Sequence, residues 1–131
     1  MNSYIGIDLG TSSVKILLAR ADGKIVKSVS RDYPIAYPRS GWSEQNPEDW
    51  WNAAKTALKK VCENAQDGEI AGIGLSGQMH GILYVDKHGN AVSDLYTWQD
   101  ERGNLPYKDT TYAAYLGSYT GYGGVTAFYN R

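Results

Sequence analysis

Asp8 lies between Ile7 and Leu9 in the string GIDLGTSSVK (residues 6–15), where an apolar run breaks at Gly10-Thr11-Ser12-Ser13 and resumes at Val14. Strands disfavour Asp, and an unpaired carboxylate withdrawn from water is costly enough to demand compensation. A divalent cation with its waters would supply it, beside a turn whose N–H groups and hydroxyls converge on an anion. A solvated hairpin turn is the plainer reading of Gly10 to Ser13, since Asp, Gly and Ser are ordinary turn residues. That reading leaves Asp8 unexplained, so the expectation is a phosphate and metal site built on this stretch.

Two further clusters carry chemistry. LSGQMHG (residues 75–81) puts Gln78, Met79 and His80 after an apolar run, with Gly77 and Gly81 on either side. Flanking glycines allow a sharp turn or a close approach to a ligand, and strand ends in α/β sheets are where ligands bind. Gln and His together offer donors and acceptors that suit a polyhydroxylated substrate, although a His beside a Met is as readily an interior residue. TWQDERG (residues 97–103) gathers an aromatic plate, an amide, two acids and an arginine. Trp98 can cover the C–H face of a sugar while Gln99 and Asp100 meet its hydroxyls. Asp100 can equally cap a helix start, and the two roles are compatible. Neither His80 nor His88 has the partners or spacing of a zinc site. Ser76 lacks the G-x-S-x-G setting of a nucleophilic serine.

The elements that must position these residues follow from periodicity. Residues 4–9 and 14–19 read as two strands, apolar on both faces and hence central in a covered sheet, joined by the Gly10–Ser13 turn. Asp22-Gly23 marks a second hairpin into KIVKSVSRDY, a half-exposed third strand ended by Pro34 and Pro38. Asn46-Pro47 opens a helix, with Glu48 and Asp49 at the positive end of its dipole. Trp50, Ala54, Ala57, Leu58 and Val61 recur on one face, and the helix should stop near Asp67-Gly68. Lys55, Lys59 and Lys60 read as its solvated side. EIAGIGLS follows as a buried strand, and GILYVDKHGNAV as a hairpin around His88-Gly89-Asn90. Strands, a helix and a returning strand make an α/β layered fold.

The bulk properties fit one globular unit. With 131 residues, 42% hydrophobic and 21% charged, the chain can bury a core and is not a disordered segment. A net charge of -1 gives no electrostatic footing for nucleic acid or an acidic membrane surface. The single cysteine, Cys62, rules out an intrachain disulfide framework and reads as a packed thiol, which points to a reducing, cytoplasmic setting. No aliphatic run is long enough to span a bilayer and no targeting segment opens the sequence. From Leu105 the chain turns rich in tyrosine and glycine, and GGVTAFYNR begins like a helix without a stop, as if cut inside an element.

In order along the chain, GIDLGTSSVK, GWSEQNPEDWW, GIGLSGQMHG and TWQDERG resemble the FGGY family of carbohydrate kinases. The resemblance covers nearly the whole chain, and the Gly-aromatic-x-Glu-Gln-x-Pro-x-x-Trp string at 41–50 is its most telling part. It implies a ribonuclease-H-like α/β fold of the actin and hexokinase type, a mixed sheet with flanking helices. It also implies transfer of a phosphoryl group from ATP, with Mg²⁺, to a sugar hydroxyl. Asp8 would then hold the metal, Gly10, Thr11, Ser12 and Ser13 would cradle phosphate, and Lys15 would add positive charge. Gln78, Met79, His80, Trp98 and Asp100 would line the sugar pocket with Arg102 in support. SGQMHG is similar to the ketose branch that includes xylulose kinases. LYTWQDERG and SYTGYGGVTAFY are closer to sedoheptulose kinases, so sedoheptulose is the preferred ketose and xylulose the next. Glu101 departs from that pattern, which has a small residue before the arginine. By the same resemblance residues 1–131 are the N-terminal part of the first kinase domain. The general base and the adenine-binding domain are expected beyond Arg131, in a missing C-terminal part of the same protein. The chain alone is then expected to be inactive, and the resemblance also allows a homodimer. The rival is a complete, non-catalytic sugar-binding or regulatory module with a tyrosine-rich interface. A dinucleotide-binding fold fails because no G-x-G-x-x-G follows the first strand.

Overall fold

Large side chains alternating with small or charged ones over residues 3–20 fold back on themselves, and the rest of the sheet grows from that hairpin. The computed structural model describes residues 1–63 and 70–103. In chain order its elements are β1 (Ser3–Leu9), β2 (Ser13–Arg20), β3 (Ile25–Asp32), β4 (Glu44–Gln45), α1 (Pro47–Cys62), β5 (Ile70–Gly77), β6 (Leu95–Tyr96) and a 3₁₀ turn at Glu101–Gly103. They fall into two units, Met1–Pro34 with Glu48–Gln78, and Ile35–Pro47 with the chain from Met79 onward.

In the first unit β1 and β2 pair antiparallel, Ser3 opposite Arg20 through Leu9 opposite Val14. The Asp22-Gly23 turn closes as its residues require: Gly23 has φ +84°, its N–H donates to Arg20 O at 2.9 Å, and the Asp22 carboxylate accepts Lys24 N–H at 3.0 Å. β3 then pairs antiparallel with β2. β5 joins the free side of β1 in parallel, giving a mixed sheet of order β3-β2-β1-β5. A parallel neighbour needs a crossover, and α1 lies within it. Asn46 precedes α1, Pro47 is its first residue, Glu48 and Asp49 fill its first turn and Lys59 and Lys60 its last, as the sequence leads one to expect. The expected stop at Asp67-Gly68 lies outside the described residues, as do the tyrosine-rich stretch and GGVTAFYNR.

The core is Ile5, Val14, Ile16 and Leu18 from the hairpin, Tyr33, and Ala57 and Val61 from α1. Trp50, Ala54 and Leu58 pack against it. Lys55, Lys59 and Lys60 are exposed, so both faces of α1 are as its pattern predicts. Ile16 has no exposed surface. Ile16→Val is expected to cost about 1 kcal/mol, read as a lower denaturant midpoint at unchanged slope.

Three expectations are corrected here. β1 and β2 are interior strands, but only the face carrying Ile5, Val14, Ile16 and Leu18 is buried; on the other, Tyr4, Asp8 and Lys15 are exposed. α1, the only α-helix among the described residues, covers one side. β5 is not buried: it forms an edge of the described sheet, with Ile73 58% and Leu75 76% exposed. Cys62 is exposed rather than packed, because it sits at the last residue of α1, past the stripe that ends at Val61.

The second unit is built on short pairings. β4 and β6 are antiparallel, Glu44 opposite Tyr96, and isolated bridges join Ala36 to Glu44 and Ile82 to Tyr96. The hairpin expected around His88-Gly89-Asn90 is present. Val85 bridges Ala91, Gly89 has φ +84°, and the Asp86 carboxylate accepts the N–H groups of His88 and Asn90 at 2.8 and 2.9 Å. Among the described residues no helix is long and apolar enough to cross a membrane.

Candidate active site

In the first unit, sheet register gathers the phosphate and metal candidates with the start of the Gln-Met-His motif. Asp8 stands opposite Lys15 on β2 and Ser76 on β5, so all three share one face of the sheet. Leu9 pairs with Gly77, and Leu9 O accepts Gln78 N–H at 2.8 Å. A Cβ at Gly77 would lie 3.3 Å from that same carbonyl oxygen, which is why the strand runs into this corner through glycine. Gln78 therefore leaves the sheet beside the Gly10–Ser13 turn.

Asp8 itself is exposed. The expectation that burial makes its charge costly is thereby corrected: Asp8 faces the uncovered side of the sheet, where water solvates it. What remains is its placement, next to the turn and across from Lys15.

The turn is tightly held. Gly10 N–H donates to Ser13 O at 2.9 Å, and a Cβ on Gly10 would sit 3.0 Å from that oxygen. Tyr33, a residue the sequence reading did not single out, closes it from below. Its N–H donates to Ser12 O at 3.1 Å, and its hydroxyl lies against Ser13 O at 2.9 Å and against Gly10 O. Burial, with the nearby charge of Asp8, pushes the Tyr33 hydroxyl up to about 12, so it stays a donor at neutral pH. A tyrosine following a strand carries no motif, and only the fold reveals it.

These residues fit a magnesium-bound phosphate. Glycine supplies the close approach, hydroxyls and amides line the turn, and Mg²⁺ is satisfied by one or two carboxylates with waters and phosphate oxygens. Among the described residues no group of three or more His, Cys, Asp or Glu forms a metal cage, and Asp8 is the residue that would offer a carboxylate to such an ion.

The second unit holds the other sugar candidates. His80 precedes the Ile82–Tyr96 bridge by two residues and Trp98 follows it by two, so both emerge from the same end of that pairing. Met79 is 65% and Trp98 39% exposed. His80 has φ +62°, a left-handed conformation uncommon outside glycine and often found where structure holds a residue for function.

Asp100 and Arg102 face inward. Asp100 is 4% exposed; its Oδ2 accepts Ser43 N–H at 2.8 Å and Arg102 Nη2 at 2.6 Å, and its Oδ1 accepts Arg102 N and Nε, each at 3.0 Å. Arg102 also donates from Nη2 to Glu44 Oε1 at 2.7 Å, and its guanidinium stacks 3.9 Å from the Trp42 ring and 4.5 Å from that of Tyr96. Burial works to raise the Asp100 carboxyl, but the Arg102 side chain, with the N–H groups of Ser43 and Arg102, holds it below the usual carboxylate range. The hydrogen bonds that Arg102 donates to Asp100 and Glu44 push it further up than an ordinary arginine. Next to this knot Ser43 Oγ and Thr97 Oγ1 meet at 2.5 Å, both buried. The network ties GWSEQ to TWQDERG. Ser43, Glu44 and Thr97 were not picked out from the sequence, although Glu44 lies inside its most telling string.

Residues 3–109 match the N-terminal domain of the FGGY family of carbohydrate kinases. The chain is 39% identical over 109 residues to a xylulose kinase from Staphylococcus xylosus, covering 83% of this chain and 23% of that protein. It is 41% identical over 104 residues to a xylulose kinase from Bacillus subtilis (strain 168), covering 78% of this chain and 21% of that one. Among solved structures, a ligand-bound xylulose kinase from Lactobacillus acidophilus superposes with a TM-score of 0.74 at 30% identity, over 79% of this chain and 21% of that chain. The chain thus spans roughly a fifth of the length of these relatives. Its mixed sheet is the ribonuclease-H-like fold of sugar kinases, and the chain belongs to the FGGY family of carbohydrate kinases, whose N-terminal domain it matches.

Proposed function

We propose that this chain is the N-terminal part of the first domain of a longer ketose kinase, which transfers the terminal phosphoryl group of ATP to a sugar hydroxyl. The observation that carries this reading is the β2-β1-β5 register. It sets Asp8, Lys15, the Gly10–Ser13 turn and the first residue of the Gln-Met-His motif side by side in a chain of this family.

Phosphoryl transfer is mostly positioning and electrostatic stabilisation. When bound, MgATP supplies the phosphoryl group and the metal's charge. Asp8 would hold the metal, the turn from Gly10 to Ser13 would receive phosphate oxygens, and Lys15 would offset negative charge. Gln78, Met79 and His80 would meet sugar hydroxyls, with Trp98 as the plate. Asp100 and Arg102 belong to this pocket as its frame: Asp100 accepts from Ser43 and Arg102, which ties the segment that carries Trp98 to Ser43. The general base lies outside this chain, which by itself is inactive, and a MgATP-dependent reaction on a free sugar belongs in the cytoplasm.

Two ketoses have support. The relatives named above are xylulose kinases and favour xylulose, whereas LYTWQDERG favours sedoheptulose. ATP consumption by the full-length protein with xylulose, ribulose and sedoheptulose, and this chain as control, tests the reading. Turnover by the long form alone is expected, and the preferred sugar decides between the two. Absence of turnover with every sugar would favour the binding-module alternative.

A further inference from the structure

We infer that Tyr33 is a positioning residue for phosphate binding, one that sets the Gly10–Ser13 turn by collecting its carbonyl oxygens. This rests on the reading of that turn as the phosphate site. Of the four carbonyls in the turn, three meet Tyr33: Ser12 O through the backbone N–H, Ser13 O and Gly10 O through the hydroxyl.

The consequence follows from peptide geometry. In a planar trans peptide the C=O of one residue and the N–H of the next point in opposite directions. With the Gly10 carbonyl turned onto the Tyr33 hydroxyl, the Thr11 amide of the same peptide faces away from it. A phosphate approaching the turn from that side meets the positive end of this dipole and not its oxygen. One hydroxyl serves both carbonyls, so removing it takes that donor from Gly10 O, leaves Ser13 O with the Gly10 N–H, and loosens the peptide that follows Gly10.

Tyr33 can do this because it is itself immobilised. It is 6% exposed, belongs to the core cluster, and stands against Trp50 of α1 with ring centroids 6.0 Å apart. The turn is thereby braced against the helix as well as the sheet. The brace lies some twenty residues from the turn it serves, and its side chain contributes a single oxygen atom.

Tyr33→Phe in the full-length protein keeps the ring and deletes only that oxygen. The expected result is a rise in KM for MgATP and a fall in kcat that together lower kcat/KM for MgATP about tenfold, the kinetic equivalent of one well-placed hydrogen bond. KM for the ketose should not move. In the ligand-free variant, hydrogen exchange at the amides of residues 10–13 should quicken by about tenfold, while exchange in the rest of β1 and β2 stays at the wild-type rate. A variant with wild-type kinetics toward MgATP overturns the inference, whatever its thermal stability. So does equal loss toward both substrates with uniformly faster exchange, which would make Tyr33 a core residue only. If the wild-type protein itself consumes no ATP with any sugar, the kinase reading falls and this inference with it.

Discussion

Asp8→Asn in the full-length protein is expected to lower kcat by about a thousandfold and to leave the fold intact. The substitution keeps the shape of the side chain and removes only its charge. Asp8 is exposed and lies outside the core cluster, so no buried contact depends on it. What it loses is a carboxylate placed beside the phosphate turn, and removing a single electrostatic group aimed at developing charge costs on the order of a hundred- to a thousandfold in rate. Steady-state kinetics across a Mg²⁺ titration read the effect, with circular dichroism as the control. Unchanged turnover would strip Asp8 of its metal role. An unfolded variant would instead assign it to the strand.

The second large effect is on stability. Asp100→Ala removes the centre of the network that joins Ser43, Glu44, Trp42, Tyr96 and Arg102, leaving a guanidinium with one carboxylate and a buried backbone N–H without its acceptor. Arg102 keeps Glu44 and is partly exposed, so the cost is that of a lost charge-assisted hydrogen bond and an unpaired buried N–H, about 2 kcal/mol. Asp100→Asn should retain part of this, since an amide oxygen can still accept from Ser43 N–H. The pH dependence has a definite sign. The folded-state carboxyl is held low, so Asp100 binds its proton less readily folded than unfolded. Its stabilisation is complete above the unfolded value near pH 4 and is lost as pH falls through the lower folded value. Urea melts from pH 7 down to pH 3 should show wild type losing stability in the acid range and Asp100→Asn losing less. Parallel slopes for the two proteins would remove the buried pair from the account.

Much of this site was legible from the sequence because short-range rules govern it. The Gly10–Ser13 turn, the Asp22-Gly23 hairpin, the start of α1 at Asn46-Pro47 and the hairpin at His88-Gly89-Asn90 are local structures, and local residues specify them. The motifs added the family. Failures arose where the answer depends on what lies across space. Apolar residues on both faces of β1 suggested a covered sheet, yet coverage is decided by how many helices pack on it, and α1 reaches only one side. Asp8 was given a burial cost for the same reason. Tyr33, Ser43 and Thr97 matter through partners 20 to 57 residues away. A hydroxyl at long range leaves no periodic trace. Asp100 reads from the sequence as cap and as pocket residue alike; its Oδ1 accepts the Arg102 N–H of the 3₁₀ turn, as a cap does, while its bonds to Ser43 and the Arg102 guanidinium depend on the fold.

The exposed edge at β5 has a colloidal consequence. Residues 70–77 contain no charge and no proline, and they present Ile73 and Leu75 to solvent beside an open ladder of backbone groups. Such a segment is sticky: it offers a template on which another extended chain can stack, and nothing in its own sequence repels the newcomer. Among the described residues, the strand that delivers Gln78 to the phosphate turn is thus also a segment prone to off-pathway assembly. Alignment of the site and the risk of aggregation are carried by the same eight residues.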